Sequence, residues 1–449
     1  MNVLTASVPS LFIRYSFLSV LGMLAISSAG VVDGYFVGNF VGSHGLAAIN
    51  IVMPLFSLLF GIALCLGLGG SVMSGKLLAL GQKEHASVMF TKVILSLGII
   101  ALLICGSMYL FMAPILSRMG ANEALMPGAL SYFQTMIMFI PFLMVGIALD
   151  HFARVDNRPG LAFAGLAVSA GVNTLLDWLF VAKFGWGLYG AALATGLSFV
   201  TLMAVVLPHF LSKRGNLHFI WPKIRTQSSF KAAINGASEF INETSVGITT
   251  LIFNLAMLRY FNVDGVAAFS VITYWLWIGQ MGMFGICDAL GALVSKNYGA
   301  KQFRRIWAFV GMGVIAVLGI GAVMIGLLLG VPETMAGIFL RKDSQDALEI
   351  ALEFSMFLWP VFLFNGTTLV ICATFTALQK PRQSAFIALL RSLLLPALFI
   401  FSLPSLVGNR GVFLALPLAE FLTFVVAIGL FRRLHRSTQT EKASSQISF

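Results

Sequence analysis

Residues 30–42 read GVVDGYFVGNFVG. Two local rules are broken together in this stretch. A carboxylate, Asp33, stands in an apolar segment, and glycine recurs every fourth residue at Gly30, Gly34, Gly38 and Gly42. Glycine is unfavourable inside a helix, so its repetition along one face needs a reason, and so does an acid with no base beside it. Both questions turn on whether the stretch lies in water or in lipid.

Composition answers for lipid. Of 449 residues, 59% are hydrophobic and 10% charged, against about a quarter charged in soluble domains. Apolar runs of about 20 residues or more recur along the chain, each long enough to cross a hydrocarbon core of about 30 Å as a helix. The first run begins near Leu11, outlasts the core of a signal peptide and has no small-residue cleavage site after it, so a first span is expected rather than a leader. The expectation is an all-α polytopic membrane protein. The net charge of +11 would suggest nucleic acid in a soluble chain, but the basic residues lie between the apolar runs, and no nucleic-acid partner is expected. Cys65, Cys105, Cys287 and Cys372 stand singly in apolar runs without metal-ligand spacing and read as buried free thiols.

Runs bounded by charge or by Gly/Pro clusters predict twelve spans: 11–39, 46–78, 87–114, 128–153, 160–182, 187–212, 233–261, 266–295, 304–330, 350–378, 383–403 and 411–431. Alternate connections collect the positive charge, as Lys76 and Lys83, Arg154 and Arg158, Lys213, Arg214, Lys223, Arg225 and Lys231, Lys296, Lys301, Arg304 and Arg305, Lys380 and Arg382, and Arg432, Arg433 and Arg436. By the positive-inside rule these face the cytoplasm. Both termini are then inside.

The halves echo each other. GLAAIN at 45–50 resembles GVAAFS at 265–270, GQK at 81–83 resembles GAK at 299–301, NRP at 157–159 resembles QKP at 379–381, and LYGAA around Gly190 resembles NRGVF around Gly411, at offsets of 220, 218, 222 and 221. A nearly constant offset implies two pseudo-symmetric six-helix lobes related by an axis along the membrane normal. Residues 1–212 form the first lobe, 213–231 a basic cytoplasmic linker, 232–434 the second lobe and 435–449 a cytoplasmic tail.

Charge within a span is costly and needs a partner or a role. Counting from the expected span ends, Asp33 lies about 6 residues, or about 9 Å, below the outer end of the first helix. In VNTLLDWLF, Asp177 lies at a similar depth on the fifth helix, with Asn173 one turn deeper on the same face. Thr195 in GAALATGLS reaches that depth on the sixth. Two carboxylates, an amide and a hydroxyl at one depth make a cation site. Two ionised aspartates in a dry lobe repel, so without a cation at least one holds a proton. Such a site takes up and releases H⁺ near physiological pH, or holds Na⁺ through oxygen ligands. The plainer alternative is that each aspartate only hydrogen-bonds a neighbouring helix. The glycines of the opening stretch then form a smooth stripe, on which helices pack backbone to backbone or along which the first helix bends.

The segment VDGYFVGNFVGSHGLAAINIVMPL, with NTLLDWLF, RVDNRP and GLYGAALAT, resembles the multidrug and toxic compound extrusion (MATE) family in its prokaryotic DinF-like branch, over essentially the whole chain. The resemblance implies a twelve-helix, two-lobe antiporter exporting organic, often cationic, compounds against an inward H⁺ or Na⁺ gradient, and a coupling-cation site at Asp33, Asn173, Asp177 and Thr195. It implies a bacterial inner-membrane location, small organic cations or drugs and the lipid bilayer as partners, a monomeric unit and no cofactor beyond the coupling ion. The second lobe departs from the family pattern. Some relatives bind the coupling ion there through an acid on the seventh helix and an aspartate before a glycine on the tenth. Here Asn365 occupies the latter position, while Glu239 and Glu243 lie on the seventh helix.

The remaining intramembrane charges are Asp288, Arg391 and Glu420, read with Glu239 and Glu243 as an internal ion-pair network around the arginine, the alternative being a direct role in transport. Asp150, one turn before Arg154, forms an i,i+4 salt bridge or contributes to a substrate cavity. GSVMSGK at 70–76 fits G-x-x-x-x-G-K, but Leu77 replaces the Mg²⁺-binding Ser/Thr and no strand precedes it, so no nucleotide site and no enzyme is expected. The six histidines lack metal spacing. The competing function is a flippase for lipid-linked glycan precursors, which calls for a cationic cavity, whereas Arg391 is the one basic residue expected deep in a span. The expected mechanism is rocking of the lobes about the 213–231 linker, with protonation of Asp33 and Asp177 selecting the conformation and the first helix changing shape.

Overall fold

The computed structural model describes residues 3–447 apart from 120, 122, 124, 213–214, 222–228 and 338–344. Among these, eleven helices are long and apolar enough to span a membrane: Val8–Phe40, Ala48–Ala79, Lys83–Leu110, Pro159–Lys183, Gly187–Leu211, Ala237–Asn262, Asp264–Gly299, Phe303–Gly330, Gln345–Ala377, Pro381–Val407 and Gly411–Arg436. A bent pair, Met126–Ile137 and Ile140–Val155, meets at 49° and makes the twelfth, the fourth in chain order. All twelve coincide with the expected runs to within a few residues, and the protein is an all-α membrane protein.

The bend follows from local chemistry. Pro141 stands at the start of the second half, where its ring and missing N–H are tolerated only in a first turn. The Phe139 ring, at the break, lies on Gly196 of the sixth helix, where any β-carbon would overlap it. Two further irregularities were not foreseen. The fifth helix turns π-helical over Trp178–Lys183 and the eleventh over Leu390–Leu394.

The repeat is written into the backbone. Left-handed residues pair across the halves as Gly42 with Asn262, Gly81 with Lys301, Asn157 with Gln379 and Gly187 with Gly408. These separations, 220, 220, 222 and 221 residues, are the spacing of the sequence echoes. Equivalent corners therefore turn the same way in both halves.

Buried apolar side chains form two clusters. One draws on Val37 through Ala232, the other on Phe253 through Leu434 together with Val155 and with Val3, Leu11, Phe12 and Tyr15 of the N-terminal segment. The inner half of the first helix thus packs with the second lobe's cluster as well as with its own lobe. Close approach of the Val20 backbone to Gly285 on the eighth helix allows it. Arg305 fixes that end, donating from Nη2 to the carbonyls of Val3 at 2.9 Å and Ala6 at 2.7 Å.

The linker also differs from a free connection. Lys213, Arg214, Lys223 and Arg225 lie outside the described residues, but both described parts are fastened to the first lobe. Asp156 accepts from Asn216 N at 2.9 Å and Nδ2 at 3.0 Å, and pairs with His209 Nε2 at 2.7 Å. Ile220 N donates to Thr91 Oγ1 at 3.1 Å, and Ser229 shares a 2.8 Å hydrogen bond with Ser96. The described parts of the linker are thus anchored on the first lobe.

Candidate functional site

Asp33, Asn173, Asp177 and Thr195 are brought together by the first, fifth and sixth helices. Ser169 Oγ donates to the Ser198 carbonyl at 2.7 Å and Ser198 Oγ to the Thr195 carbonyl at 2.7 Å, which ties the fifth and sixth helices just below the site. On that footing Asn173 Nδ2 donates to Thr195 Oγ1 at 3.3 Å. Asp177, one turn on, is wholly buried. Neither of its carboxylate oxygens has a hydrogen-bond donor among the described residues, and neither does Asp33 Oδ1. The two carboxyl groups lie within hydrogen-bonding reach of each other. Two acids can share that contact only when one carries a proton, because two bare carboxylates have acceptors alone.

Tyr132 was missed by sequence reasoning. It is 2% exposed and lies within electrostatic range of both Asp33 and Asp177. One tyrosine in an apolar run carries no signal of its own. The π-helical turn beginning at Trp178 directly follows Asp177, and such turns often mark functional positions because they re-aim side chains.

The glycine stripe is looser than close packing requires. A β-carbon on Gly34 would meet nothing within 4 Å, and one on Gly30 only the Trp277 ring at 3.8 Å. Backbone-to-backbone packing through these glycines is thus not what the fold uses. Asp33 sits on a stretch of helix with room beside it, and no proline lies inside that helix beyond its first turn.

In the second lobe, Arg391 Nε donates to Glu420 Oε1 at 2.9 Å and Nη1 to Asn242 Oδ1 at 3.2 Å. Asn365 Nδ2 donates to the same Glu420 oxygen at 3.2 Å, and Ser392 Oγ to Asn242 Oδ1 at 2.8 Å. The expected network is present for Arg391 and Glu420, but not for the other acids. Asp288 instead accepts from Arg154 Nη1 of the first lobe at 2.6 Å, while Arg154 Nη2 binds Asp150 at 2.8 Å. Glu239 and Glu243 enter no ion pair among the described residues. Glu239 lines a cavity of about 50 Å³ with Asn242, Asp288, Thr368 and Arg391, while Asp150 does not line it and is held by Arg154.

Twelve membrane-spanning helices in two repeated halves, with acids in their spans that no base neutralises, define a membrane transporter. The MatE family profile matches residues 19–179 and again residues 240–401, once on each half. The chain belongs to the multidrug and toxic compound extrusion family. It is 24% identical over 429 residues to the multidrug export protein MepA of Staphylococcus aureus (strain MSSA476), covering 92% of this chain and 91% of that one. The Staphylococcus saprophyticus protein of the same name is 24% identical over 440 residues, covering 96% and 95%. Solved structures of the same fold include an outward-facing multidrug-resistance MATE transporter of the MOP superfamily, at TM-score 0.91, 18% identity and coverage of 97% and 98%. A second is a MOP superfamily transporter from Pyrococcus furiosus, whose reversed pocket polarity is described as suggesting a different function, at TM-score 0.92, 18% identity and the same coverage. At such identity the likeness is one of fold.

Proposed function

We propose that the protein is a secondary multidrug exporter that carries organic, often cationic, compounds out across the inner membrane in exchange for protons, working as a monomer with both termini in the cytoplasm. The observation that carries the reading is the pair Asp33 and Asp177, within reach of each other, with Asp33 Oδ1 and both Asp177 oxygens facing no donor among the described residues. Such a pair holds one proton for as long as the site is dry, and exchanges it when the lobe opens to water. Asn173 and Thr195 supply neutral oxygens beside it, so Na⁺ is the rival ion. A cationic substrate and a proton both neutralise the same acids, and their mutual exclusion is the simplest basis for exchange.

A lipid-linked glycan would need basic residues to meet its phosphates. The cavity presents two acids, Glu239 and Asp288, against the single arginine Arg391, which disfavours that reading. The deciding experiment is efflux of a fluorescent organic cation from proteoliposomes under a ΔpH and, separately, under a Na⁺ gradient. Drive by ΔpH alone is expected. Drive by Na⁺ alone would reassign the ion, and drive by neither would remove the antiport reading.

A further inference from the structure

Two links between the lobes at the basic end of the molecule are images of each other. Lys296 Nζ, at the end of the eighth helix, donates to Asn157 Oδ1 at 2.6 Å, and Lys76 Nζ, at the end of the second, donates to Gln379 Oε1 at 3.3 Å. The lysines are 220 residues apart and the amides 222, the spacing of the internal repeat. Each lobe thus offers a lysine to an amide of the other. Both amide residues are left-handed without being glycine, with φ of 66° at Asn157 and 56° at Gln379. That conformation is costly for a residue with a side chain, and it persists where surrounding contacts hold it.

The surroundings make each link more than a surface contact. Lys296 is 6% exposed, and Asn157 also accepts from Tyr15 of the first helix at 3.4 Å. Lys76 lies over the Tyr298 ring, 5.1 Å from its centre. The links lie just beyond the cavity described above, because Val72, Gly291 and Thr376 of its lining precede Lys76, Lys296 and Gln379 on the same chain segments by about one helical turn. The chemistry suits a part that opens. A lysine on a neutral amide is a charge-assisted hydrogen bond, but releasing it leaves one charge to be rehydrated rather than the two of a buried ion pair. The third link, Arg154 to Asp288, is such an ion pair and is not repeated: Thr376 and Leu68 occupy the image positions.

We propose that Lys76 with Gln379 and Lys296 with Asn157 form a two-fold latch that keeps the cavity shut at the basic end, and that release of both opens it to that side. The inference rests on the transporter reading above for its purpose, but not on which ion is coupled. Cys287 lines the cavity and reports opening. A membrane-impermeant maleimide is applied to the basic side of vesicles carrying the full chain, without gradient or substrate, and Cys287 modification is followed by peptide mass spectrometry.

Lys76→Gln and Lys296→Gln are each expected to speed labelling roughly fivefold, and the double variant roughly twentyfold. Asn157→Gly and Gln379→Gly remove the other half of each link while keeping the left-handed turn, and are expected to give the same rates, which covers the case of a lysine variant that does not fold. Wild-type labelling rates in the double variants, or a full effect from one link alone, would overturn the latch. Wild-type protein that fails to respond to ΔpH would instead end the proton-coupling reading and leave the labelling result intact.

Discussion

The two lobes solve the same problem, a carboxylate in a membrane, in opposite ways. In the second, Glu420 is held by the Arg391 guanidinium and the Asn365 amide. In the first, Asp177 and Asp33 face each other with no base in an ion pair, and among the described residues no donor reaches Asp33 Oδ1 or either Asp177 oxygen. A neutralised acid has little reason to change state, whereas a pair of acids must bind something to remain buried. The difference teaches that the repeat fixes the framework while the placement of one arginine decides whether a particular buried acid, here Glu420, is neutralised.

The sharpest break in that comparison comes from removing the acids. Asp33→Asn and Asp177→Asn are each expected to reduce ΔpH-driven efflux to the level of empty liposomes while the purified protein stays monodisperse. The amide copies the shape of the protonated acid but cannot titrate. Full efflux by both variants would end the assignment to the first lobe.

The complementary change acts on stability. Arg391→Met leaves Glu420 buried without its partner and is expected to cost about 3–5 kcal/mol, read as a lower thermal midpoint, with efflux retained by the folded fraction. Glu420→Gln is expected to behave likewise. A stable Glu420→Gln protein without transport would move the coupling site into the second lobe.

The open space beside Gly34 sharpens the contrast in motion. Spin labels on the first helix and on the fifth should report a distance that changes between about pH 5 and 8, where buried carboxylates exchange protons, and Asp33→Asn should hold it at the low-pH value. Constancy across that range would exclude a shape change of the first helix even if proton coupling survived. The smallest of these effects is expected from Thr195→Val. It removes the acceptor of the Asn173 hydrogen bond without adding bulk, and should slow efflux by about fivefold. No change at all would make Thr195 a packing residue.

Much of this was legible in the sequence because the bilayer leaves few options. A span must be long, apolar and helical, so twelve spans and their repeat could be counted, and depth alone grouped Asp33, Asn173, Asp177 and Thr195. What was hidden depends on which faces meet. Arg154 had a local partner in Asp150, so nothing signalled its second bond to Asp288 in the other lobe. Tyr132 resembled any aromatic in an apolar run. The break at Phe139 had a visible cause in Pro141, but prolines inside spans at Pro54, Pro208 and Pro360 leave their helices unbroken. The glycine stripe suggested contact where the fold leaves room.

One corner of the repeat has a use in protein engineering. Lys301 holds a left-handed backbone with φ of 55° and an exposed side chain, while its image, Gly81, makes the same turn without a β-carbon. Lys301→Gly copies a solution the chain already contains. Relief of the left-handed cost exceeds the added freedom of the unfolded chain by about 0.5–1 kcal/mol. In detergent, where transporters are often lost before they crystallise, that margin should appear as longer survival on warming, with efflux unchanged.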